Sequence, residues 1–266
     1  MSETNAACLI DYSVQEGIAI IQLNDPPANT YSYEMMQQLD SAILQARMDE
    51  SVFVILLRGA GEKFFCAGAN IRMLTESTPE FKYYFCLHAN ETLNRLENTP
   101  KLVIAALNGH TVGGGLEVAL AADIRLARRG AGKIGLPEVN LGVLPGTGGT
   151  QRLARLVGKP LSIEMMISGK TLDFDEAQTL GIVNQVYDGE NFWEAVMAYA
   201  RQFVPPNRAA KAVGHIKRAV QSGLEVSFTE GLALERELQQ RLFISNDARE
   251  GLAAYVEKRK PQFTGK

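Results

Sequence analysis

The stretch KLVIAALNGHTVGGGLEVALAADIRLAR, residues 101–128, decides the fold. Residues 102–107 form an unbroken apolar run, the pattern of a strand buried on both faces. Gly113, Gly114 and Gly115 then turn the chain into a short apolar helix, and DIRLAR, residues 123–128, reads as the next strand. Two buried strands joined through a turn and a helix predict an α/β core.

The same alternation continues on both sides. N-terminally, ACLIDYSVQEGIAIIQLND (residues 7–25) alternates around Gln15-Glu16-Gly17 and predicts a β-hairpin that Pro26 and Pro27 stop. Met35, Met36, Leu39, Ile43 and Leu44 recur at helical spacing, with Ser32 placed to cap the start. SVFVILLRG (residues 51–59) reads as a buried strand, and a helix is expected from Pro79 to Glu97. After Gly158 the chain becomes mainly helical, with one strand in IVNQVY (residues 182–187), and Pro205-Pro206 marks a break. The tail beyond is charged and amphipathic, with heptad-like Leu224, Leu232, Leu234, Leu238 and Leu242. These helices are expected to pack on the core or on another subunit. The reading divides the chain into a core, residues 1–204, and a C-terminal helical region, residues 205–266.

Composition narrows the function. A net charge of −3 argues against a broad phosphate-binding surface and so against nucleic acid as the main partner. The three cysteines Cys8, Cys66 and Cys86 form no CxxC pair, which suggests a reducing compartment. The N-terminus shows no basic start followed by an apolar run, and no stretch reaches the ~20 apolar residues of a membrane span. A cytoplasmic protein without membrane contact is expected. His88, His110 and His215 are scattered without ligand spacing, so no metal site is expected. Gly146-Thr147-Gly148-Gly149 lacks the spacing of a dinucleotide loop.

The chemistry-bearing signal is where charge is missing. Glu117 is the one charged residue between Lys101 and Asp123, and Glu138 the one between Lys133 and Arg152. Isolated carboxylates in apolar, glycine-rich surroundings are costly to bury without a partner or a task. An ordinary glutamate simply points outward into solvent. Against that, Glu117 follows a triple glycine that lets backbone N–H groups approach a ligand. Glu138 follows Pro137 at a loop junction, where sites are commonly built. The residues alone leave both readings open. FFCAGAN, residues 64–70, follows a strand and reads equally as an ordinary turn or as a second source of free N–H groups.

Together these segments resemble a known family. FFCAGANI (64–71), NGHTVGGGLEVALAADIRLA (108–127), GLPEVNLGVLPGTGGTQRLARLVG (135–158) and EGLAAYVEKRKPQF (250–263) occur in the order seen in the enoyl-CoA hydratase/isomerase, or crotonase, superfamily. The resemblance runs from Ile10 to Phe263. It implies a crotonase-like spiral of strand–strand–helix units followed by a C-terminal helical trimerisation region, and a homotrimer or a hexamer built as a dimer of trimers. It also implies Glu117 and Glu138 as the catalytic pair and the N–H groups of Ala69 and Gly114 as an oxyanion hole. Ala67, Gly68, Asn70, Ile71 and Arg72 would line the CoA passage, and Lys258 is similar to a lysine that reaches CoA phosphates.

The resemblance most favours an enoyl-CoA hydratase acting on an acyl-CoA thioester. Two N–H donors would stabilise an enolate, an ionised glutamate would activate water for Cβ, and a protonated one would supply Cα. Coenzyme A belongs to the substrate, so no separate cofactor is implied. The alternatives are isomerisation, hydration of a cyclic or dienoyl-CoA, or a non-catalytic RNA-binding relative. The span between the glutamates is slightly longer than in the hydratases it resembles, and Leu136 stands where some carry a polar residue. Tyr83, Tyr84 and Phe85 are candidates either for acyl contact or for helix packing.

Overall fold

The computed structural model describes residues 7–266; residues 1–6, the start of the segment read as carrying no leader, lie outside the described residues. The expected hairpin forms from β1 (Ile10–Gln15) and β2 (Ile18–Leu23), followed by helix α1 (Tyr33–Met48). Ser32 caps α1 by accepting from Met35 N at 3.3 Å, and Met35, Met36, Leu39 and Ile43 turn inward. Next come β3 (Val54–Gly59), β4 (Phe64–Cys66), α2 (Ile71–Glu76) and α3 (Pro79–Glu97). A further unit is β5 (Leu102–Leu107), β6 (His110–Val112) and α4 (Gly114–Leu120). Another is β7 (Ile124–Arg128), β8 (Ile134–Gly135), a 3-10 turn at Glu138–Leu141 and α5 (Gly149–Val157). The chain continues through α6 (Lys159–Ser168), β9 (Thr171–Leu172), α7 (Phe174–Thr179), β10 (Gln185–Tyr187) and α8 (Phe192–Arg201). It ends in α9 (Ala210–Gly223), α10 (Phe228–Phe243) and α11 (Asn246–Glu257).

Successive units feed two sheets. The first strand of each joins a six-stranded sheet of order β1-β2-β3-β5-β7-β10, parallel apart from the β1–β2 hairpin. The second strand of each joins a smaller sheet of order β4-β6-β8-β9, in which β4, β6 and β8 run parallel. The chain is therefore a crotonase-type spiral of strand–strand–helix turns. β5 is buried along its whole length, as its apolar run requires. Two buried asparagines hold the β3–β4 connection from either side. Asn29 Nδ2 donates to Ala60 O at 2.9 Å, and Asn108 Nδ2 donates to Gly61 O at 2.8 Å.

The spiral has one consequence for function. The carboxyl ends of β4, β6 and β8 lie side by side, and the segments leaving them carry Ala69, Gly114 and Glu138 in turn. Parallel strands with a common exit edge gather loops that are far apart in sequence.

The tail is helical as expected, but its leucines do not form one buried stripe. Leu238 is buried, whereas Leu224 is 80% exposed. Among the described residues no helix is long and apolar enough to cross a membrane.

Candidate active site

Two unpaired backbone donors frame the centre of the site. Tyr31 and Ala69 sit opposite each other as a parallel bridge. Tyr31 N donates to Gly68 O, and Asn70 N donates to Tyr31 O, both at 2.9 Å. Backbone groups alternate sides in an extended segment, so with Gly68 and Asn70 engaged toward Tyr31 the N–H of Ala69 points the opposite way. Gly114 opens α4, and its N–H is one of the donors a helix start leaves without an internal acceptor. Among the described residues neither N–H finds an acceptor. The two segments abut closely, since a Cβ built on Gly68 would lie 2.8 Å from Gly114 N. Gly113 enters α4 at φ +58°, and a side chain on Gly114 would collide with the Tyr31 hydroxyl, so both positions require glycine.

Glu117 sits one turn into α4 and is 2% exposed, which rules out the outward-pointing reading. Three donors converge on its carboxylate from the loop before α5. Thr147 N donates to Oε1 at 2.8 Å and Gly149 N to the same oxygen at 2.7 Å, while the Thr147 hydroxyl donates to Oε2. Such an array suits a negatively charged carboxylate.

Glu138 lies in the opposite kind of environment. Its Oε2 is buried and has no hydrogen-bond partner among the described residues, and Oε1 lies beside Gly113. Burial pushes its carboxyl up to about 7; its own backbone N–H opposes the rise, the Glu117 charge adds to it and Lys82 offsets part. The two glutamates thus sit in unlike surroundings, Glu117 among three hydrogen-bond donors and Glu138 with a buried oxygen that accepts none among the described residues.

The remaining candidates divide. Ala67 and Gly68 belong to the close-packed turn: Ala67 N donates to Ala28 O at 3.0 Å, and Gly68 N to Cys66 Sγ at 3.3 Å. Asn70 has a structural use, its side chain capping α2 through Met73 N at 3.2 Å. Ile71 is 52% exposed and Arg72 is also exposed, both on the first turn of α2 beside Ala69. Among the described residues the Arg72 guanidinium pairs with no carboxylate. Lys258 ends α11 in a left-handed conformation and is exposed. The aromatic trio also divides: Phe85 is core, while Tyr83 and Tyr84 face outward.

The residues missed from sequence are Tyr31, Thr147 and Gly149. Thr147 and Gly149 lie in a segment read as a rejected dinucleotide loop and as part of the family-like stretch 135–158, with no contact to Glu117 foreseen; in the structure both donate to Glu117. Tyr31 is 2% exposed, and its hydroxyl lies 3.1 Å from Thr147 Oγ1. The sole sequence signal was a second glycine-rich turn in the same charge-poor neighbourhood.

Comparison with known proteins bears on this geometry. A family model described as enoyl-CoA hydratase/isomerase matches residues 13–266. The short-chain-enoyl-CoA hydratase of Clostridium acetobutylicum is 36% identical over 244 residues, covering 91% of this chain and 92% of its own. The human mitochondrial methylglutaconyl-CoA hydratase is 34% identical, covering 94% of this chain and 74% of its own. An enoyl-CoA hydratase crystal structure from Geobacillus kaustophilus superposes with a TM-score of 0.94 at 44% identity, covering 97% of both chains.

Proposed function

The chain belongs to the enoyl-CoA hydratase/isomerase family, and from that premise we propose that it hydrates a 2-enoyl-CoA to the 3-hydroxyacyl-CoA. The observation that carries this reading is the contrast between Glu117, whose carboxylate accepts three hydrogen bonds, and Glu138, which burial pushes up to about 7. Hydration needs a base and an acid at once, and the two carboxylates are suited to those roles at neutral pH.

The thioester oxygen accepts from the N–H groups of Ala69 and Gly114, which stabilise the enolate as charge moves onto it. Losing one donor of this kind typically costs ~10²–10³ in rate. Glu117 takes a proton from water as the oxygen bonds to Cβ, and Glu138 gives its proton to Cα. The product gains one water, and exchange with solvent returns Glu117 to its charged form and Glu138 to its protonated one. In this proposal Arg72, Ile71 and the 67–70 turn line the CoA passage, with Lys258 reaching the CoA phosphates from a neighbouring subunit of a trimer or hexamer. No cofactor beyond the substrate's own CoA takes part, and the setting is cytoplasmic fatty-acyl breakdown.

Crotonyl-CoA supplied without added cofactor tests this through loss of the enoyl-thioester absorbance. The wild type should consume it rapidly, and Glu117→Gln and Glu138→Gln should each be slower by about 10³-fold, within the range of general acid–base catalysis. Full activity in either variant would rule out the mechanism.

A further inference from the structure

Thr147, which donates to Glu117, is itself hydrogen-bonded to Tyr31. Tyr31 sits between β2 and α1, remote in sequence from both halves of the site, yet it contacts each. Its backbone N–H and C=O bracket Ala69 through the two 2.9 Å bonds to Gly68 O and from Asn70 N. Its hydroxyl lies 3.1 Å from Thr147 Oγ1 and against Gly114, whose missing side chain leaves room for it. The ring packs on Phe85 at 6.0 Å between centroids.

Hydrogen counting fixes the direction of this chain of bonds. Thr147 has one hydroxyl proton, and it goes to Glu117 Oε2. Tyr31 must then be the donor to Thr147 Oγ1. The Tyr31 proton therefore keeps the Thr147 proton pointing at the carboxylate. An ionised carboxylate has about four lone-pair positions. Thr147 N, Gly149 N and the Thr147 hydroxyl fill three of them, leaving one for a water.

We propose that Tyr31 is a positioning residue that, through Thr147, orients Glu117 so that its one free lone pair meets the attacking water, while its backbone holds the Ala69 donor in register with that base. This rests on the hydratase reading above. Tyr31 itself makes no hydrogen bond to either carboxylate among the described residues, so it acts on Glu117 through Thr147.

Tyr31→Phe tests it, because it removes one oxygen and keeps the ring, the backbone bonds and the packing. The expected result is a fall in kcat of about tenfold, the size of one hydrogen bond, with KM for crotonyl-CoA unchanged. Thr147→Val should lower kcat at least as much, whereas Thr147→Ser, which keeps the hydroxyl, should restore it. In the Thr147→Val background Tyr31→Phe should have no further effect, because the intermediary is already gone. A purely structural tyrosine would instead give additive losses and the same loss of stability in both backgrounds. Normal kcat in Tyr31→Phe, beside a Glu117→Gln variant that is inactive, overturns the positioning role and leaves the hydratase reading intact. An inactive wild type overturns the hydratase reading, and the relay is then decided by NMR of protein labelled with ¹³Cζ-tyrosine. The Tyr31 resonance should shift between wild type and Thr147→Val; an unmoved resonance overturns the relay.

Discussion

Glu138 carries a measurable cost of its environment. Its carboxyl is pushed up to about 7 chiefly by burial, against an ordinary value of 4.5. The folded protein therefore holds a proton that the unfolded chain releases as pH rises between those values. Its contribution to stability is fully present below about 4.5 and is lost by about 7. Glu138→Gln cannot ionise, so the difference in Tm between variant and wild type should grow more positive from pH 5 to pH 8. Thermal melts at the two pH values check this, and an equal difference at both would show that the carboxyl is not desolvated. In the proposed mechanism the same proton goes to Cα, so hydration by the wild type should weaken above pH 7. Both carboxylates were legible in the sequence because each stands alone in a long charge-poor segment. Their separate roles were not legible. Those depend on Thr147 and Gly149 reaching one oxygen of Glu117 while Glu138 Oε2 is left without a partner, and no spacing along the chain records that.

The tail is fastened to the spiral by a buried ion pair carried on α9. Lys217 Nζ lies 2.8 Å from Asp123 Oδ2 and also donates to Lys101 O at 3.1 Å, while Val103 N donates to the same Asp123 oxygen at 2.7 Å. Burial raises the Asp123 carboxyl and lowers the Lys217 ammonium, so each charge persists there mainly through the other. Removing one partner should cost more than removing both, because the survivor is left buried and unpaired. Lys217→Met is expected to destabilise the fold by about 3–5 kcal/mol, and the double variant with Asp123→Asn to recover most of it. Urea midpoints decide the matter: a double variant as weak as the single would mean that the pair merely fills space. The long elements, such as α1, α3 and β5, were readable from periodicity and caps. The small sheet was not, since β6 has three residues and β8 and β9 two each, too few to show alternation. Those short strands place Ala69, Gly114 and Glu138 together, so the sheet that gathers the candidate site was the least visible one.

The molecule as described leaves a surface that a lone chain would keep only at a cost. Leu224 and Phe228 are each 80% exposed, Tyr255 is 86% exposed and Val256 78%, all on or beside the last three helices. Exposed apolar side chains of this size are expected to be covered by another subunit. The heptad-like leucines of the tail divide in a way that their spacing did not reveal: Leu238 packs inward while Leu224 is exposed. The tail is also stitched to its own end. Asp247, 3% exposed, accepts from Thr264 N at 2.7 Å and from Gly265 N at 2.8 Å. That stitch holds α11 and the last residues as one body rather than as a free arm. Full-length protein is therefore expected to run as a trimer or a dimer of trimers in light scattering coupled to size exclusion. Ending the chain after Pro205 should abolish this, because it removes the exposed apolar side chains of the tail and uncovers Leu102 of β5, whose cluster Val213 of α9 packs against. The shortened protein should aggregate or run as a monomer with a lowered Tm. A soluble trimer from it would show that the spiral core itself, not the helical tail, carries the subunit contact.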